Sequence, residues 1–254
     1  MDLIAVFILG IFIGSFLNVL IDRLPREESV IKGRSHCEKC KKVLRWHDLI
    51  PLVSFIFLKG KCRHCHIPLS FYYPIIEITT GLMFVLALNV SGLTNYLGLI
   101  YYLILFSALI VIFFTDLKYG IIPDVILFLS AIVTAIYLFL NFNSLIINYL
   151  LSAVGACLFF LFLFLITKGK GMGFGDVKFA FLMGLILGFP KIIVSLYVAF
   201  LTGAVIGCIL IMWKKKKVFG TSIPFGPFLA IGVLVAILYG EILVQSFFRL
   251  ALLL

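Results

Sequence analysis

Long apolar runs separated by short polar breaks constrain the fold of this chain more than any other feature. Hydrophobic residues make up 63% of the sequence and charged residues only 13%. A helix needs about 20 apolar residues to cross the roughly 30 Å hydrocarbon core of a bilayer. The sequence predicts an all-α polytopic membrane protein with about eight transmembrane helices and one long polar loop, and it shows no evident internal repeat. The predicted helices are at residues 3–22, 74–90, 97–115, 122–140, 145–167, 177–189, 191–213 and 223–250.

The basic residues predict how these helices are oriented. If all eight cross, the polar loop 23–73 and nearly every lysine and arginine share one side of the membrane, with only Lys191 and Arg249 opposite. Positive residues accumulate on the cytosolic side, so we expect the N-terminus outside and the loop in the cytosol. The segment 177–189 spans only about 20 Å, but a re-entrant segment there would place the lysines at 214–217 outside. We therefore predict a short crossing, and the net charge of +10 indicates topology rather than nucleic-acid binding.

The polar loop contains two C-x2-C pairs, Cys37 with Cys40 and Cys62 with Cys65, separated by 21 residues. Two such pairs can supply four thiolates to one tetrahedral ion, and the spacing is close to that of known zinc sites. Disulfide bonds are the competing interpretation, but cytosolic thiols stay reduced. We predict a zinc-knuckle-like loop whose ion is structural, because four thiolates leave no coordination position for a substrate.

Four acidic residues fall near predicted cytosolic helix ends. Glu77 and Asp124 follow prolines at helix starts, where the helix dipole favours a negative charge, so structural and functional roles stay equally open for them. Asp116 ends a helix, where the dipole disfavours its charge. Asp176 follows three alternate glycines, more than a helix cap requires. Acidic residues of the polar loop, such as Asp48, are expected to lie in solvent.

Asp116 and Asp176 are predicted to lie at the same membrane depth. Such a pair suits aspartyl hydrolysis, in which one carboxylate takes a proton from water while its protonated partner donates to the carbonyl oxygen. The residues alone leave two alternatives open, a proton-coupled transporter and a simple pairing of charges at the interface.

Several stretches together resemble the type IV prepilin peptidase family, and the resemblance covers the whole chain. G-x-G-D alone is also found in presenilin-like proteases, whereas five matches in order are specific. The matching stretches are GSFLNVLIDRLP at 14–25, IPLVSFIFLKGKC at 50–62 with the two C-x2-C pairs, YPIIE at 73–77, DLKYGIIPD at 116–124 and GFGDVK at 173–178.

The resemblance implies an enzyme that cleaves a short basic leader from prepilins and pseudopilins at the cytosolic face of the bacterial plasma membrane. Carried over to this chain, the catalytic residues are Asp116 and Asp176. The glycines at Gly173 and Gly175 are expected to let an extended substrate backbone lie against the loop before Asp176, and Lys178 is assigned to the same loop.

The resemblance also implies methylation of the new amino terminus with S-adenosylmethionine as the methyl donor. In this family the amino-terminal region of the chain is associated with methyl transfer. Its candidate cofactor-binding residues here are Asn18, Arg23 and Glu77. No G-x-G-x-x-G motif follows a strand, so a Rossmann-type methyltransferase domain is not expected.

The expected organisation is a first transmembrane helix at 1–22, a methyltransferase-associated cytosolic loop at 23–73 and a seven-helix aspartyl peptidase domain at 74–254. A different G-x-G-D intramembrane protease is an alternative, which the cysteine loop argues against. The other alternative is a non-enzymatic transporter or assembly factor.

Overall fold

The computed structural model describes residues 3–30, 32–33, 35–37, 39–92, 94–141, 145–169, 171–213 and 224–252. The eight predicted helices are all present with ends shifted by a few residues, so the all-α prediction is confirmed. The described part of the loop adds one short α-helix and two 3₁₀ helices, Leu24–Arg26 and Trp46–Leu49, that were not predicted. The α-helices within the described residues are α1 Leu3–Arg23, α2 Val53–Phe57, α3 Tyr72–Ser91, α4 Tyr96–Tyr119, α5 Asp124–Asn141, α6 Ile146–Ile166, α7 Phe174–Leu187, α8 Lys191–Trp213 and α9 Gly226–Leu252.

Seven of these helices are long and apolar enough to cross a membrane. The chain is therefore a multi-pass membrane protein. α7 has only 14 residues and is not among the seven, so its crossing stays a prediction. The lysine run at 214–217, on which that prediction depends, lies outside the described residues.

The chain divides into two compact units, Met1–Val111 and Ile112–Leu254, with the division inside α4. In the first unit α1 packs along α3. Gly10 and Gly14 lie on one face of α1 because residues four apart align on a helix. A methyl group at Gly10 would lie 2.7 Å from the Cα of Gly81, and one at Gly14 would lie 2.7 Å from the Cα of Glu77. Small residues thus allow the close backbone approach that packs helices in membranes.

α7 lies at the centre of the second unit, where it contacts α5, α6, α8 and α9. Nine of its residues are buried, distributed around the helix from Asp176 to Leu187. A methyl group at Gly184 would overlap the Cα of Ala153 in α6. From Phe179 to Leu187 the helix is apolar all round, as expected in a protein interior. Since other helices cover α7, its length need not match the bilayer thickness.

α7 begins at Phe174, three residues earlier than the sequence predicted. Asp176 therefore lies inside the first turn of α7 rather than in the loop before it. Asp116 lies in the last turn of α4, and Asp124 is the first residue of α5. Three acidic residues of the second unit, Asp116, Asp124 and Asp176, thus lie at helix ends.

Candidate functional site

Asp116 and Asp176 come together in the second unit, as the sequence predicted. Their exposed fractions are only 5% and 6%, and the two carboxylates are close enough to interact electrostatically. Helices α4 and α7 supply one aspartate each, from positions 60 residues apart. The pair therefore depends on helix packing and not on a local motif.

A backbone N–H group holds each carboxylate by one oxygen. The N–H of Gly173 donates to Oδ2 of Asp176 at 3.0 Å, and the N–H of Gly226 donates to Oδ2 of Asp116 at 2.8 Å. Among the described residues, no protein group donates a hydrogen bond to Oδ1 of either aspartate. The arrangement fixes one oxygen of each carboxylate and leaves the other for a shared proton or for water.

Gly226 is a site residue that the sequence analysis missed. It is the first residue of α9, and its N–H has no partner within its own helix because the first four N–H groups of any helix lack one. The available signal was the stretch Pro224-Phe225-Gly226-Pro227, in which a proline just inside a helix start follows a glycine. Nothing in that stretch points to a residue 110 positions away.

The position of α9 changes the electrostatic prediction for Asp116. The sequence placed this carboxylate at the unfavourable C-terminal end of its own helix. In the structure the N-terminal end of α9 faces it through Gly226, and helix N-termini favour negative charge. Each aspartate therefore faces a helix N-terminus, Asp176 that of α7 and Asp116 that of α9.

The predicted substrate-loop residues occupy three different environments. Gly173 is extended, with φ −78° and ψ 154°, and precedes α7. Gly175 lies within α7, where an added methyl group would be 3.2 Å from Cβ of Ile122, so this glycine also lets α7 pack closely. Lys178 pairs with Asp124 at the start of α5 through Nζ, 2.7 Å from both carboxylate oxygens. Their contact with substrate stays a prediction.

The four cysteines of the polar loop form one cluster in the first unit. Their ligand atoms all lie within 4.8 Å of one another, and the Sγ atoms of Cys37 and Cys65 are 3.8 Å apart. Four sulfurs each about 2.3 Å from a tetrahedral zinc ion would be separated by about 3.8 Å. All four cysteines are free, so the arrangement fits a metal better than disulfide bonds.

Backbone hydrogen bonds favour, at Cys62, the thiolate form that metals require. The N–H groups of Cys65 and His64 lower the pKa of the Cys62 thiol to about 7. At Cys65 the N–H of Ile67 has the same effect, but burial and the other thiols outweigh it and raise the pKa of the Cys65 thiol to about 11. The chemistry and the spacing of the donor set therefore both suit a metal ion.

The two C-x2-C pairs have the same backbone structure, which reveals a repeat that the sequence analysis did not find. Cys37 N–H donates to the carbonyl of Lys42, and Cys62 N–H donates to that of Ile67. Lys41 and His66 occupy matching left-handed positions, with φ of 56° and 53°. The described residues of 35–44 and the residues 60–69 thus form the same motif, 25 positions apart. Only the cysteines and a final leucine are shared between SHCEKCKKVL and GKCRHCHIPL, which explains why the repeat was missed.

A cavity of about 440 Å³ in the first unit is lined by all three residues proposed from the resemblance as cofactor-binding, Asn18, Arg23 and Glu77. Asn18 is buried, and its Nδ2 donates to the carbonyl of Tyr73 at 3.3 Å. Its Oδ1 is buried and accepts no hydrogen bond within the described part of the chain. Tyr73 also donates through its hydroxyl to Asp22 at 3.2 Å.

Glu77 does not lie at an exposed helix start, although the sequence allowed that explanation. It is 7% exposed, and its Oε2 accepts a hydrogen bond of 2.8 Å from the N–H of Leu52. Leu52 has φ 58° and ψ −47°, a region that non-glycine residues rarely adopt. Strained backbone of this kind concentrates at functional sites, so the geometry favours a functional role for Glu77.

Asp48 also departs from the sequence prediction, which placed it in solvent. It is buried, accepts a hydrogen bond from Arg63 Nε at 2.7 Å and another from the N–H of Arg45 at 3.1 Å. Burial opposes its ionisation, but these two hydrogen bonds and the positive charge of Arg63 lower the pKa of Asp48. It lines the same cavity as Asn18 and Glu77 and fixes one wall of it.

Each of the two units matches a known protein family. Residues 8–90 match the bacterial peptidase A24 N-terminal domain, and residues 103–208 match the type IV leader peptidase family. A prepilin leader peptidase/N-methyltransferase of Bacillus subtilis is 32% identical over 249 residues, covering 97% of this chain and 98% of that protein. This chain belongs to the type IV leader peptidase family.

Two other relatives that carry the same name differ in how much of the chain they match. The Pseudomonas aeruginosa protein is 27% identical over 271 residues, 96% of this chain and 92% of that protein. The Myxococcus xanthus protein is 43% identical over 117 residues, 46% of this chain and 34% of that protein. No solved structure is significantly similar to this chain.

Proposed function

We propose that this protein is a membrane-embedded aspartyl endopeptidase that removes the leader from prepilin-type substrates and then methylates the new amino terminus. The observation that carries the peptidase assignment is the buried pair of Asp116 and Asp176, each held by one backbone N–H group. Membership of the family, and a relative of almost the same length named for both activities, supports the combination.

Asp116 and Asp176 act together as a general acid and a general base. Two buried carboxylates that interact bind one proton between them, because two adjacent negative charges repel strongly. The ionised carboxylate takes a proton from water, and the protonated partner donates to the carbonyl oxygen of the scissile peptide bond. The water oxygen bonds to the carbonyl carbon, and the carboxyl group that took the water proton returns it to the peptide nitrogen as the C–N bond breaks. The step therefore needs neither a metal nor a nucleophilic serine.

The substrate backbone lies against the segment before α7, where Gly173 is extended and carries no side chain. Its charged leader and the aspartate pair share the cytosolic side of the bacterial plasma membrane, with the N-terminus of this protein outside. The distribution of lysine and arginine supports this orientation. Membrane lipid surrounds the remaining faces of the helices, and nucleic acid has no part in the reaction.

The cavity of the first unit holds S-adenosylmethionine. Its volume of about 440 Å³ falls in the range of small-molecule sites. Its walls carry charges of both signs, with carboxylates such as Glu77 and guanidinium groups such as that of Arg23, which suits a cofactor that has two positive groups and one carboxylate. Asn18 offers a buried oxygen without a partner among the described residues. The bound cofactor supplies an electrophilic methyl group, and Asn18, Arg23 and Glu77 bind and orient it.

The ion in the cysteine cluster is zinc, held by Cys37, Cys40, Cys62 and Cys65. Its role is structural, because all four coordination positions are filled by protein. Cys37 and Cys62 also line the cavity, so the ion stabilises one wall of the methyl-transfer site.

The decisive experiment is incubation of the purified protein with a prepilin and S-adenosylmethionine, followed by mass measurement of the product amino terminus. The wild type is expected to yield a leaderless, methylated product. Asp116→Asn and Asp176→Asn are each expected to lower the cleavage rate by about 1,000-fold or more, within the range for loss of general acid–base catalysis. Glu241→Gln is the matched control, because Glu241 pairs with Lys191 instead. Normal cleavage by either aspartate variant would contradict the proposal.

Methyl transfer is tested separately with a prepilin that has already lost its leader. Asn18→Ala and Glu77→Gln are expected to weaken S-adenosylmethionine binding in calorimetry and to leave leader cleavage unchanged. Asn141→Ala is the control, since this exposed asparagine donates to the carbonyl of Tyr137 in its own helix. Unchanged cofactor affinity in both cavity variants would place the methyl-donor site elsewhere.

The orientation is tested by a reporter fused after Leu254 that is active only outside the cytoplasm. Eight crossings with the N-terminus outside place the C-terminus outside and give an active reporter. If α7 does not cross, the C-terminus lies in the cytosol and the reporter is inactive. A reporter inserted in the loop at 23–73 is expected to be inactive in either case.

A further inference from the structure

The start of α9 lies at the aspartate pair but belongs to neither aspartate's own helix. We infer that Gly226 is a positioning residue for Asp116, and that Phe225 anchors it. This inference depends on the proposed peptidase activity and extends it to a third structural element. The buried N–H of Gly226 contacts Oδ2 of Asp116 at 2.8 Å, across 110 residues of sequence.

Gly226 is required for space rather than for backbone conformation. Its φ is not among the positive values found for other described glycines, so an alanine could adopt the same backbone angles. A methyl group there, however, would lie 2.6 Å from Oδ2 and 3.1 Å from Cγ of Asp116. Any side chain would therefore displace the carboxylate from the N–H that holds it.

Phe225 fixes the start of α9 within a cluster of aromatic rings. Its ring centroid lies 5.3 Å from that of Phe200 in α8 and 6.3 Å from that of Phe160 in α6. Phe160 is fully buried. The carbonyl of Phe225 accepts the N–H groups of Phe228 and Leu229 and so closes the first turn. The position of the Gly226 N–H is thus set by α6 and α8, which carry neither aspartate.

This arrangement determines which oxygen of Asp116 takes part in the reaction. Oδ2 accepts the hydrogen bond from the N–H of Gly226, so Oδ1 is the oxygen available to the shared proton or to water. If the Asp116 carboxylate rotates or shifts, the two aspartates lose the geometry in which they can share one proton. A displacement of about 1 Å in a catalytic group lowers a rate by about 100-fold.

The test is steady-state kinetics of leader cleavage by Gly226→Ala. We expect kcat to fall about 100-fold while KM changes less than about twofold, because the substrate is held elsewhere. Methylation of a prepilin that has already lost its leader is expected to proceed at the wild-type rate, which shows that the variant is folded. Gly207→Ala in α8 is the matched control, because nothing lies within 4 Å of a methyl group there. A wild-type kcat in Gly226→Ala would overturn the inference.

A second variant covers the case in which Gly226→Ala loses both activities. Phe225→Ala removes the anchor without adding atoms beside Asp116, and we expect a roughly 10-fold lower kcat at unchanged KM, partly restored in Phe225→Leu. A wild-type kcat in Phe225→Ala would overturn the inference. Absence of cleavage by the wild type would refute the proposed function instead, and normal cleavage by Asp116→Asn would refute the aspartate pair.

Discussion

The two units of this protein build their sites in opposite ways. The cysteine cluster of the first unit comes from two ten-residue motifs, each closed by backbone hydrogen bonds within itself. The site of the aspartate pair in the second unit is formed by the ends of α4, α7 and α9, three segments that lie far apart in sequence. A locally closed site is sensitive to loss of its ligands, whereas an assembled site is also sensitive to changes far from its reacting atoms.

The largest effect is expected from variants that lose the metal ion, because they affect the site of the first unit alone. Cys37→Ser and Cys62→Ser are each expected to reduce bound zinc from about one ion per chain to almost none and to abolish methyl transfer, because the loop depends on the ion for its fold. Metal content is measured by elemental analysis. Cys157→Ser is the control, since Cys157 lies in α6 outside the cluster. Full zinc content in both variants would show that the cluster is not the metal site.

A smaller effect is expected from a change toward the C-terminal end of α7, two turns of helix beyond Asp176. Gly184→Ala would overlap the backbone of α6 at Ala153, and overpacking of this kind costs about 1–3 kcal/mol. We expect a lower unfolding temperature and a cleavage rate reduced about 10-fold, with zinc content unchanged. Gly155→Ala in α6 has open space around it and is the matched control. Wild-type cleavage in Gly184→Ala would show that the aspartate pair tolerates movement of α7.

The corresponding change in the first unit is Gly10→Ala, at the contact of α1 with α3. A methyl group there would lie 2.7 Å from the Cα of Gly81 and would separate the helices that carry Asn18 and Glu77. We expect a severalfold weaker affinity for S-adenosylmethionine, measured by calorimetry, and unchanged cleavage. Because the cysteine motifs close locally, zinc content is expected to stay normal. Loss of zinc in this variant would contradict the view that the cluster is locally determined.

The smallest effect is expected for the ion pair between Lys178 and Asp124. Exposed pairs contribute about 0.2–1 kcal/mol, and both side chains are substantially exposed, 40% and 67%. Lys178→Met is expected to change cleavage by less than about fivefold, and the exchange Asp124→Lys with Lys178→Asp to restore most of the loss. A loss of 100-fold or more, not restored by the exchange, would show that Lys178 contacts substrate or the aspartates directly.

Prediction from sequence worked best where the signal is local. The helix positions follow from apolar runs, and the cysteine cluster follows from the spacing of two pairs. It failed at Asp48. A charged residue in a polar loop gives no sign that it will be buried, with hydrogen bonds from Arg63 and the backbone of Arg45. It also could not choose between the two explanations for Glu77, because its partner Leu52 lies 25 residues away in a strained turn.

The sequence by itself determined that the chain is a helical membrane protein, that four thiols meet, and that Asp116 and Asp176 belong together by resemblance to a family. Hydrophobic length, short ligand spacing and short motifs are all properties of neighbouring residues, so they can be read along the chain. Only the tertiary structure decided that Gly226 holds Asp116, that other helices cover α7, and that Asn18, Arg23 and Glu77 line one cavity. These features depend on which helix faces contact one another, and side-chain packing between segments far apart in sequence sets those contacts.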